Sequence, residues 1–315
     1  MKKLLLIAGI IAIAGCVLIF VPAKLTISKV MTGKFSIMAA SRYLSDTSKW
    51  NKWWPESKKG LIAGAGRQSS FVYKGYSYIV TGIFYNEVHL CIQNEDNSEI
   101  NGAMRIAQLD KDSILLGVEC QLRAGNNPFK KIKAYRRRKE IRENMAGILE
   151  AFKAFMEVTR NVYGLKIERP YSKDSVLVTL SRSAAAYPTT AYIYQLIDSV
   201  KQYVDSHDAI VISPPMLNVA KSGNNEFRTM VALSVNKRLE GNSRIIVKRF
   251  VPYKMIEGEA HGGVYSVDKA MEQLYKFRDD NQLSIMSIPF QSLVTDRRKE
   301  QDTTQWITIV CAPVS

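Results

Sequence analysis

The sequence has few cysteines and lacks the motifs that mark most nucleic-acid-binding modules. Its four cysteines fit neither a disulfide framework nor the paired spacing of a zinc site, so we expect buried thiols, no bound metal and no other cofactor. A helix-turn-helix pattern, a zinc finger and a basic stripe interleaved with aromatic residues are all missing, which argues against nucleic acid as a partner. Segments of low complexity are missing as well, so most of the chain should fold.

Acidic residues are scarce relative to basic ones. The chain has 44 lysines and arginines against 29 aspartates and glutamates, a formal net charge of +15. Most of this excess lies before residue 170, which indicates an anionic surface nearby, either phospholipid or nucleic acid. The alternative is an ordinary solvated exterior. At 315 residues the chain exceeds the usual size of one domain, so we expect two.

The first residues form a long apolar run. Residues 4–23, "LLLIAGIIAIAGCVLIFVPA", carry no charge and would span about 30 Å as a helix, which is the hydrocarbon thickness of a bilayer. We therefore predict a transmembrane anchor over residues 1–24. A cleaved signal peptide is one alternative. A lipoprotein signal is another, because "IAGC" ending at Cys16 is similar to a bacterial lipobox.

The orientation of this anchor rests on the flanking lysines. Lys2 and Lys3 favour a cytoplasmic N-terminus, which would leave the rest of the chain outside the cytoplasm. Lys24, Lys29 and Lys34 at the other end argue the opposite. The expectation is a single-pass membrane protein whose folded part is extracytoplasmic.

Residues 25–165 show the order of one recognisable domain. A short strand at 25–31 precedes a helical segment, four strand-like stretches follow within 70–123, and a long amphipathic helix is predicted at 128–163. This order, together with "YLSDTSKWNKWWPE", resembles the START-like (SRPBCC, polyketide cyclase-like) helix-grip family. The resemblance implies an apolar ligand site between sheet and long helix. No acid/base pair in the strands points to cyclase chemistry.

The long helix begins with the basic run "KKIKAYRRRKEIRE", residues 130–143. One interpretation is a solvated helix face. Another is contact with anionic lipid headgroups through Arg136, Arg137 and Arg138. Nucleic acid ranks behind both, for want of a recognition motif.

Residues 171–315 contain an internal repeat. The apolar positions and prolines of two segments, about 174–235 and 244–315, correspond at a constant offset of 74 residues, as between Pro215 and Pro289. Each segment reads as strand, helix, strand, strand. The first strand of the second segment is predicted to run through 244–260. Two such βαββ units can share one sheet with both helices on one face, which leaves the other face available for a cleft.

These residues resemble the gyrase-inhibitor-like family, the effector-binding domain of bacterial transcription activators. The likeness is carried by "GEAHGGVYSVDKAMEQLYKF", "PPML", "IPFQSLVTD" and "WITIVCAPV". It implies an α+β chain in which a duplicated βαββ effector-binding domain follows the helix-grip domain. It also implies a cleft that binds small aromatic or cationic amphipathic molecules between aromatic walls and a buried carboxylate. Gln291 occupies the position where members of the family carry that glutamate.

Other glutamates can replace the missing one. Glu257 and Glu259 lie two apart on one predicted strand and should leave the same face, and Glu226 is a weaker candidate in the first repeat. Each is otherwise an exposed strand-end carboxylate. The predicted walls are aromatic or sulfur-containing side chains that could equally be core: Tyr253, Met255, Phe290 and Trp306.

The function predicted from these patterns is non-catalytic binding of a small amphipathic or aromatic molecule by a membrane-tethered protein. We assign no catalytic residue. One alternative is a small-molecule hydrolase, in which Glu257 or Glu259 acts as a general base, its pKa raised by burial and by repulsion from the other carboxylate. The other is a structural or interaction protein whose pockets are filled.

Overall fold

Two antiparallel sheets and five helices make up the described chain. The computed structural model describes residues 24–56, 69–94, 98–111, 113–124, 128–172, 175–223, 226–250 and 252–315. The predicted α+β class is confirmed, with a six-stranded and an eight-stranded sheet. The chain divides into two units, the first ending at Val158 and the second covering Thr159–Ser315. The domain limits of 25–165 and 171–315 remain predictions.

The first unit is an antiparallel meander with a long C-terminal helix. Its strands lie in the order β1-β6-β5-β4-β3-β2. Helices α1 and α2 cover Ile37–Leu44 and Pro128–Met156, and a 3-10 helix covers Thr47–Lys52. The strands are β1 Lys24–Gly33, β2 Ser70–Tyr73, β3 Tyr76–Ile83, β4 Glu87–Gln93, β5 Ile100–Asp110 and β6 Ser113–Arg123.

Aromatic side chains fill the core of this unit. Trp50, Trp53 and Trp54 are all buried. The Trp53 ring meets Phe152 of α2 edge-on, with 4.7 Å between ring centroids. The Trp50 indole N–H donates to the carbonyl of Leu44 at 2.9 Å, so this buried polar group is satisfied. The tryptophans therefore occupy space between the sheet and α2.

The second unit contains one eight-stranded sheet in the order β11-β8-β10-β9-β13-β14-β12-β7. Helices α3, α4 and α5 cover Thr159–Tyr163, Thr190–Asp205 and Val264–Asp280, and a 3-10 helix covers Thr303–Gln305. The strands are β7 Ile167–Glu168, β8 Ser175–Ala184, β9 Met216–Ser222, β10 Glu226–Val235, β11 Ile245–Phe250, β12 Met255–His261, β13 Phe290–Leu293 and β14 Ile307–Pro313.

The repeat is visible in the strand order. Strands β8, β10 and β9 of the first half mirror β12, β14 and β13 of the second, and β9 pairs with β13 at the centre. In that ladder Leu217 lies opposite Gln291, the residue 74 positions later, and Met216 lies opposite Ser292. A residue that faces its own repeat equivalent lies on the axis relating the halves. The pseudo-twofold axis therefore passes through the Leu217–Gln291 pair.

One part of the predicted repeat is corrected. Residues 244–260, read as a single strand, form two strands in different halves of the sheet. Strand β11 pairs with β8 at the edge of the first half, and β12 pairs with β14 in the second. Pro252 stands between them, and because proline lacks an N–H it cannot continue a ladder.

Helices α4 and α5 cover one face of the sheet. On the α4 side, Val178, Leu217 and Val231 are buried together with Ile197 and Val200 of the helix. In the second half Ile256, Val310 and Leu274 are buried. Because side chains alternate along a strand, the residues between these strand positions point to the opposite face. We call this opposite face the open face.

A contact from the second repeat to α4 reinforces the junction of the halves. The Tyr194 hydroxyl of α4 accepts a hydrogen bond from the backbone N–H of Arg297 at 2.9 Å and donates to the carbonyl of Thr295 at 3.2 Å. The Arg297 guanidinium is buried over the Trp306 ring, 4.9 Å from its centroid, and donates to Thr308 Oγ1 at 2.9 Å. Burial lowers the pKa of Arg297. These contacts hold the loop after β13 against the first repeat.

The His-Gly-Gly turn between β12 and α5 is architectural. Gly262 has a φ of +113°, which residues with a side chain rarely adopt, and Gly263 is the N-cap residue of α5. His261 Nε2 lies 2.7 Å from Oε1 of Glu259 at the exposed end of the strand. The turn therefore sets the angle between strand and helix.

The membrane prediction needs a correction. The predicted anchor at 1–24 lies outside the described residues except for Lys24, which begins β1. Among the residues that the structure describes, no helix combines the length and the apolar character needed to cross a bilayer. The predicted single-pass membrane localisation is wrong on this finding.

A buried glycine of β12 tests the packing of this sheet. A Cβ on Gly258 would overlap the side chain of Leu165, which is itself buried. We expect Gly258→Ala to lower the free energy of unfolding by about 1–3 kcal/mol, the usual cost of overpacking. Urea unfolding monitored by circular dichroism measures it.

The matched control is Gly117→Ala in β6. A Cβ at Gly117 would meet only Val30 Cγ2 at an ordinary distance of 3.9 Å. This variant should unfold at the wild-type urea concentration or slightly above it, because alanine restricts the unfolded chain. Equal losses in both variants would contradict the packing assigned to Gly258.

Candidate functional site

The open face of the second unit carries a cavity of about 630 Å³. Its floor is formed by β8, β9, β10 and β13, on both sides of the pseudo-twofold axis. The lining residues are Tyr171, Leu177, Thr179, Met216, Leu217, Asn218, Met230, Ala232, Lys248, Arg249, Tyr253, Lys254, Met286, Ser287, Ile288, Phe290, Pro313, Val314 and Ser315. We call this space the open-face cavity.

The alternation of the strands explains why its walls are apolar. On β9, Leu217 points into the helix-covered core, so Met216 and Asn218, on either side of it along the strand, point into the cavity. On β10, Val231 belongs to the core, whereas Met230 and Ala232 line the cavity. Both faces of these strands are thus hydrophobic, although helices cover only one. An apolar surface left by the helices is consequently available to a ligand.

Several polar groups of the cavity wall are already bonded within the protein. Thr179 Oγ1 donates to the carbonyl of Ile246 at 2.8 Å. Asn218 Nδ2 donates to the carbonyl of Pro289 at 2.9 Å, which leaves the amide oxygen as an acceptor. Burial raises the pKa of the Tyr253 hydroxyl, and the nearby Cys311 thiol adds to the effect. Tyr253 is therefore a neutral hydrogen-bonding group at ordinary pH.

Two of the residues predicted from the sequence to bind the ligand, Tyr253 and Phe290, line this cavity. Met255 is buried at the start of β12 and is not among the lining residues. Gln291 pairs with Leu217, and because directly paired residues share a face, it points to the helix side. Trp306 is buried beneath Arg297.

The two predicted glutamates lie on the open face but do not line the cavity. Glu257 is half-buried and lies opposite Cys311 on β14 and Glu168 on β7. Burial raises its pKa, and the negative charge of Glu168 raises it further. Glu259 is exposed, and its Oε1 lies within hydrogen-bond distance of His261 Nε2, at 2.7 Å. The carboxylate that acts on Glu257 is thus Glu168, whereas the sequence suggested Glu259.

Glu226, the third glutamate considered for the ligand site, is the first residue of β10. It is exposed and pairs with Ser222.

Sequence reasoning missed most of the cavity wall. Met216 and Met230 are each followed by an equally apolar residue, Leu217 and Val231, so no strict alternation of polar and apolar residues marks the ligand-facing side. Lys248 and Lys254 were hidden by the assignment of 244–260 to a single strand. A register that paired Lys248 with Leu177 would have revealed their common face.

Two other concave surfaces differ from this cavity in character. A groove of about 910 Å³ in the first unit is lined mainly by polar residues. Among them, Arg105 is ion-paired with Glu119 at 3.6 Å. A groove of about 1070 Å³ in the second unit runs along β11 and residues 235–241. Neither is as apolar as the open-face cavity.

The basic residues that begin α2 are partly engaged. Arg137 donates to the carbonyl of Ser98 at 3.2 Å, and its guanidinium lies 5.8 Å from the Tyr76 ring centroid. Arg138 lies 5.9 Å from the ring of Tyr135, and Arg136 is exposed. Contact between this helix and anionic lipid stays a prediction.

Among known proteins, this chain is similar only to solved structures. No family model matches the chain, and no curated protein matches it. The C-terminal domain of EcmrR is similar at 15% identity with a TM-score of 0.42, over 48% of this chain and 98% of that domain. A hydrolase from Listeria innocua is similar at 12% identity with a TM-score of 0.37, over 47% of this chain and 91% of the other.

A third similar structure is SAV2435 bound to tetraphenylphosphonium, at 15% identity with a TM-score of 0.32, over 47% of this chain and 93% of that one. With identities of at most 15% and TM-scores below 0.5, these likenesses do not decide what this chain binds or does.

Proposed function

We propose that the second unit binds a small amphipathic or aromatic molecule in the open-face cavity. The observation that carries the proposal is an apolar cavity of about 630 Å³ on a sheet face that the helices leave uncovered. That volume falls within the range of small-molecule sites, roughly 300–1,000 Å³. A ligand there would remove from water the apolar side chains that the protein itself does not bury.

The side chains of the wall suit a flat or irregular apolar body. Phe290, at the start of β13, and Tyr253, just before β12, offer aromatic surfaces. Met216, Met230 and Met286 are unbranched and polarisable, so they can adapt to different ligand shapes. Ala232 is small and lies in the middle of the floor, which leaves room above β10.

The first unit supports this assignment by contrast. The family that it resembles would hold an apolar ligand between the sheet and the long helix. In this chain Trp50, Trp53 and Phe152 pack in that region. Ligand binding is therefore assigned to the second unit. Membership of the first unit in the START-like family remains a proposal.

A hydrolase is the second candidate, and Glu257 is the observation that favours it. This carboxyl is half-buried with a raised pKa, as a general base requires. It lies beside the buried thiol of Cys311, outside the cavity lining. A substrate held in the open-face cavity would thus meet no aspartate, glutamate, histidine or cysteine side chain among the described lining residues. Binding is the better-supported function.

Filling the floor of the cavity tests the proposal. Ala232→Phe places a phenyl ring over β10 and should weaken binding of the neutral dye N-phenyl-1-naphthylamine at least about tenfold, or 1.4 kcal/mol. Fluorescence titration of the full chain measures the dissociation constant.

The matched control is Ala220→Phe, at an exposed position of β9 that does not line the cavity. It should bind the dye like the wild type. Circular dichroism checks that both variants are folded. Dye binding that survives Ala232→Phe unchanged in a folded protein would disprove the site.

The raised pKa of Glu257, which burial and the charge of Glu168 cause, leads to a separate prediction. A carboxyl with a raised pKa in the folded state costs nothing below its ordinary pKa and destabilises the fold once it ionises. Glu257→Gln should therefore raise the free energy of unfolding at pH 7 by about 0.2–1 kcal/mol, the range for cross-strand pairs. The gain should vanish as the pH falls towards the ordinary value of 4.5.

Urea unfolding at several pH values between 4 and 8 follows this gain. Glu259→Gln is the control on the same strand, because that residue is exposed and paired with His261. The control should show no gain at pH 7. A loss of stability in Glu257→Gln at pH 7 would mean that the charged carboxylate is needed where it lies.

A further inference from the structure

The charged residues of the open-face cavity all have the same sign. Lys248, Arg249 and Lys254 line it, and the described lining includes no aspartate or glutamate side chain. A cavity that selects cations needs the reverse arrangement, a carboxylate among aromatic rings. The charge of this wall is opposite to the one that the sequence suggested.

The placement of Lys248 follows from the ladder between β11 and β8. Lys248 pairs with Leu177, which also lines the cavity, and directly paired residues share a face. Edge strands commonly carry lysines that discourage further pairing, but such a lysine does not have to face a cavity. Lys248 therefore brings its ammonium group to the rim of an apolar space.

Lys254 reaches the same rim from the segment before β12. Its carbonyl accepts from the N–H of Val314, which fixes the backbone beside the cavity. Neither Lys248 nor Lys254 forms a side-chain hydrogen bond or ion pair with any described residue. Two ammonium groups thus border the cavity, and no described aspartate or glutamate side chain pairs with either.

The acidic residues of the open face lie elsewhere. Glu257 and Glu259 belong to β12, and Glu168 belongs to the edge strand β7. None of the three lines the cavity. Glu259 is hydrogen-bonded with His261, and Glu168 is ion-paired with Lys166. The charged side chains in the described lining of the cavity are therefore all basic.

We propose that the open-face cavity prefers anionic amphipathic molecules, with an apolar or aromatic body over β9 and β10 and a carboxylate or sulfonate at Lys248 and Lys254. This inference rests on the proposed binding function and adds the charge of the ligand to it. A Lys ammonium acts as a hydrated point charge and does not require one acid geometry, so either anionic group fits.

Two dyes that differ by one charged group provide the test. The dye 8-anilinonaphthalene-1-sulfonate is N-phenyl-1-naphthylamine with an added sulfonate. Each is titrated into the full-length wild type and into the double variant Lys248→Gln, Lys254→Gln. The double variant should bind the sulfonate dye about fivefold more weakly, the scale of two solvent-exposed ion pairs. Its affinity for the neutral dye should stay within about twofold of wild type.

The control for net charge is the double variant Lys201→Gln, Lys269→Gln. Both lysines are exposed on helices α4 and α5, which cover the other face of the sheet. This control removes the same charge and should bind both dyes like the wild type. Raising NaCl from about 50 mM to about 500 mM should reduce the effect of the rim variant on the sulfonate dye, because salt screens exposed charges.

The outcomes separate the two proposals. If Ala232→Phe leaves the binding of both dyes unchanged, the cavity is not the binding site and the proposed function fails. If Ala232→Phe weakens both dyes but the rim variant leaves the sulfonate dye unaffected, the cavity binds ligands and the preference for anions is wrong. Equal weakening of the sulfonate dye by the rim and control variants would also overturn it. A rim variant that weakens the sulfonate dye alone supports it.

Discussion

The second unit depends on a short ladder between β9 and β13. Only two residue pairs form it, Leu217–Gln291 and Met216–Ser292, yet it joins two half-sheets into one sheet of eight strands. So short a ladder contributes little by its own hydrogen bonds, each of which stabilises a protein by about 1 kcal/mol. The contact of Tyr194 with the backbone of Arg297 ties the same junction from the helix side. Core packing and this contact together keep the halves in register.

That register decides what each face of the sheet can do. With Leu217 on the axis and directed to the helices, Met216 is directed away from them, as are Met230 and Phe290 on the neighbouring strands. A one-residue slip would exchange the faces, so ligand wall and core are specified by the same pairing. The apolar open face leaves hydrophobic surface exposed to water, which is unfavourable. Under the proposed function, a bound amphipathic molecule would cover this surface.

Sequence reasoning recovered the α+β class, the repeat and the long helices α4 and α5 of the second unit, because a 74-residue period and amphipathic helices are encoded locally. It failed where the answer depended on strand pairing. The assignment of 244–260 to one strand hid β11, and with it the position of Lys248 beside Leu177. Gln291 was expected at the ligand site from its motif, but its ladder partner directs it to the helix side. Glu257 was expected to interact with Glu259 along the strand, and the neighbour that raises its pKa is Glu168 on another strand.

A crystal structure of the chain with bound 8-anilinonaphthalene-1-sulfonate would test the central claim most directly. We expect the rings of the dye over β9 and β10 against Met230 and Phe290, and the sulfonate within reach of Lys248 or Lys254. Dye located outside the open-face cavity, or seated in it with the sulfonate directed towards Glu257, would contradict the claim.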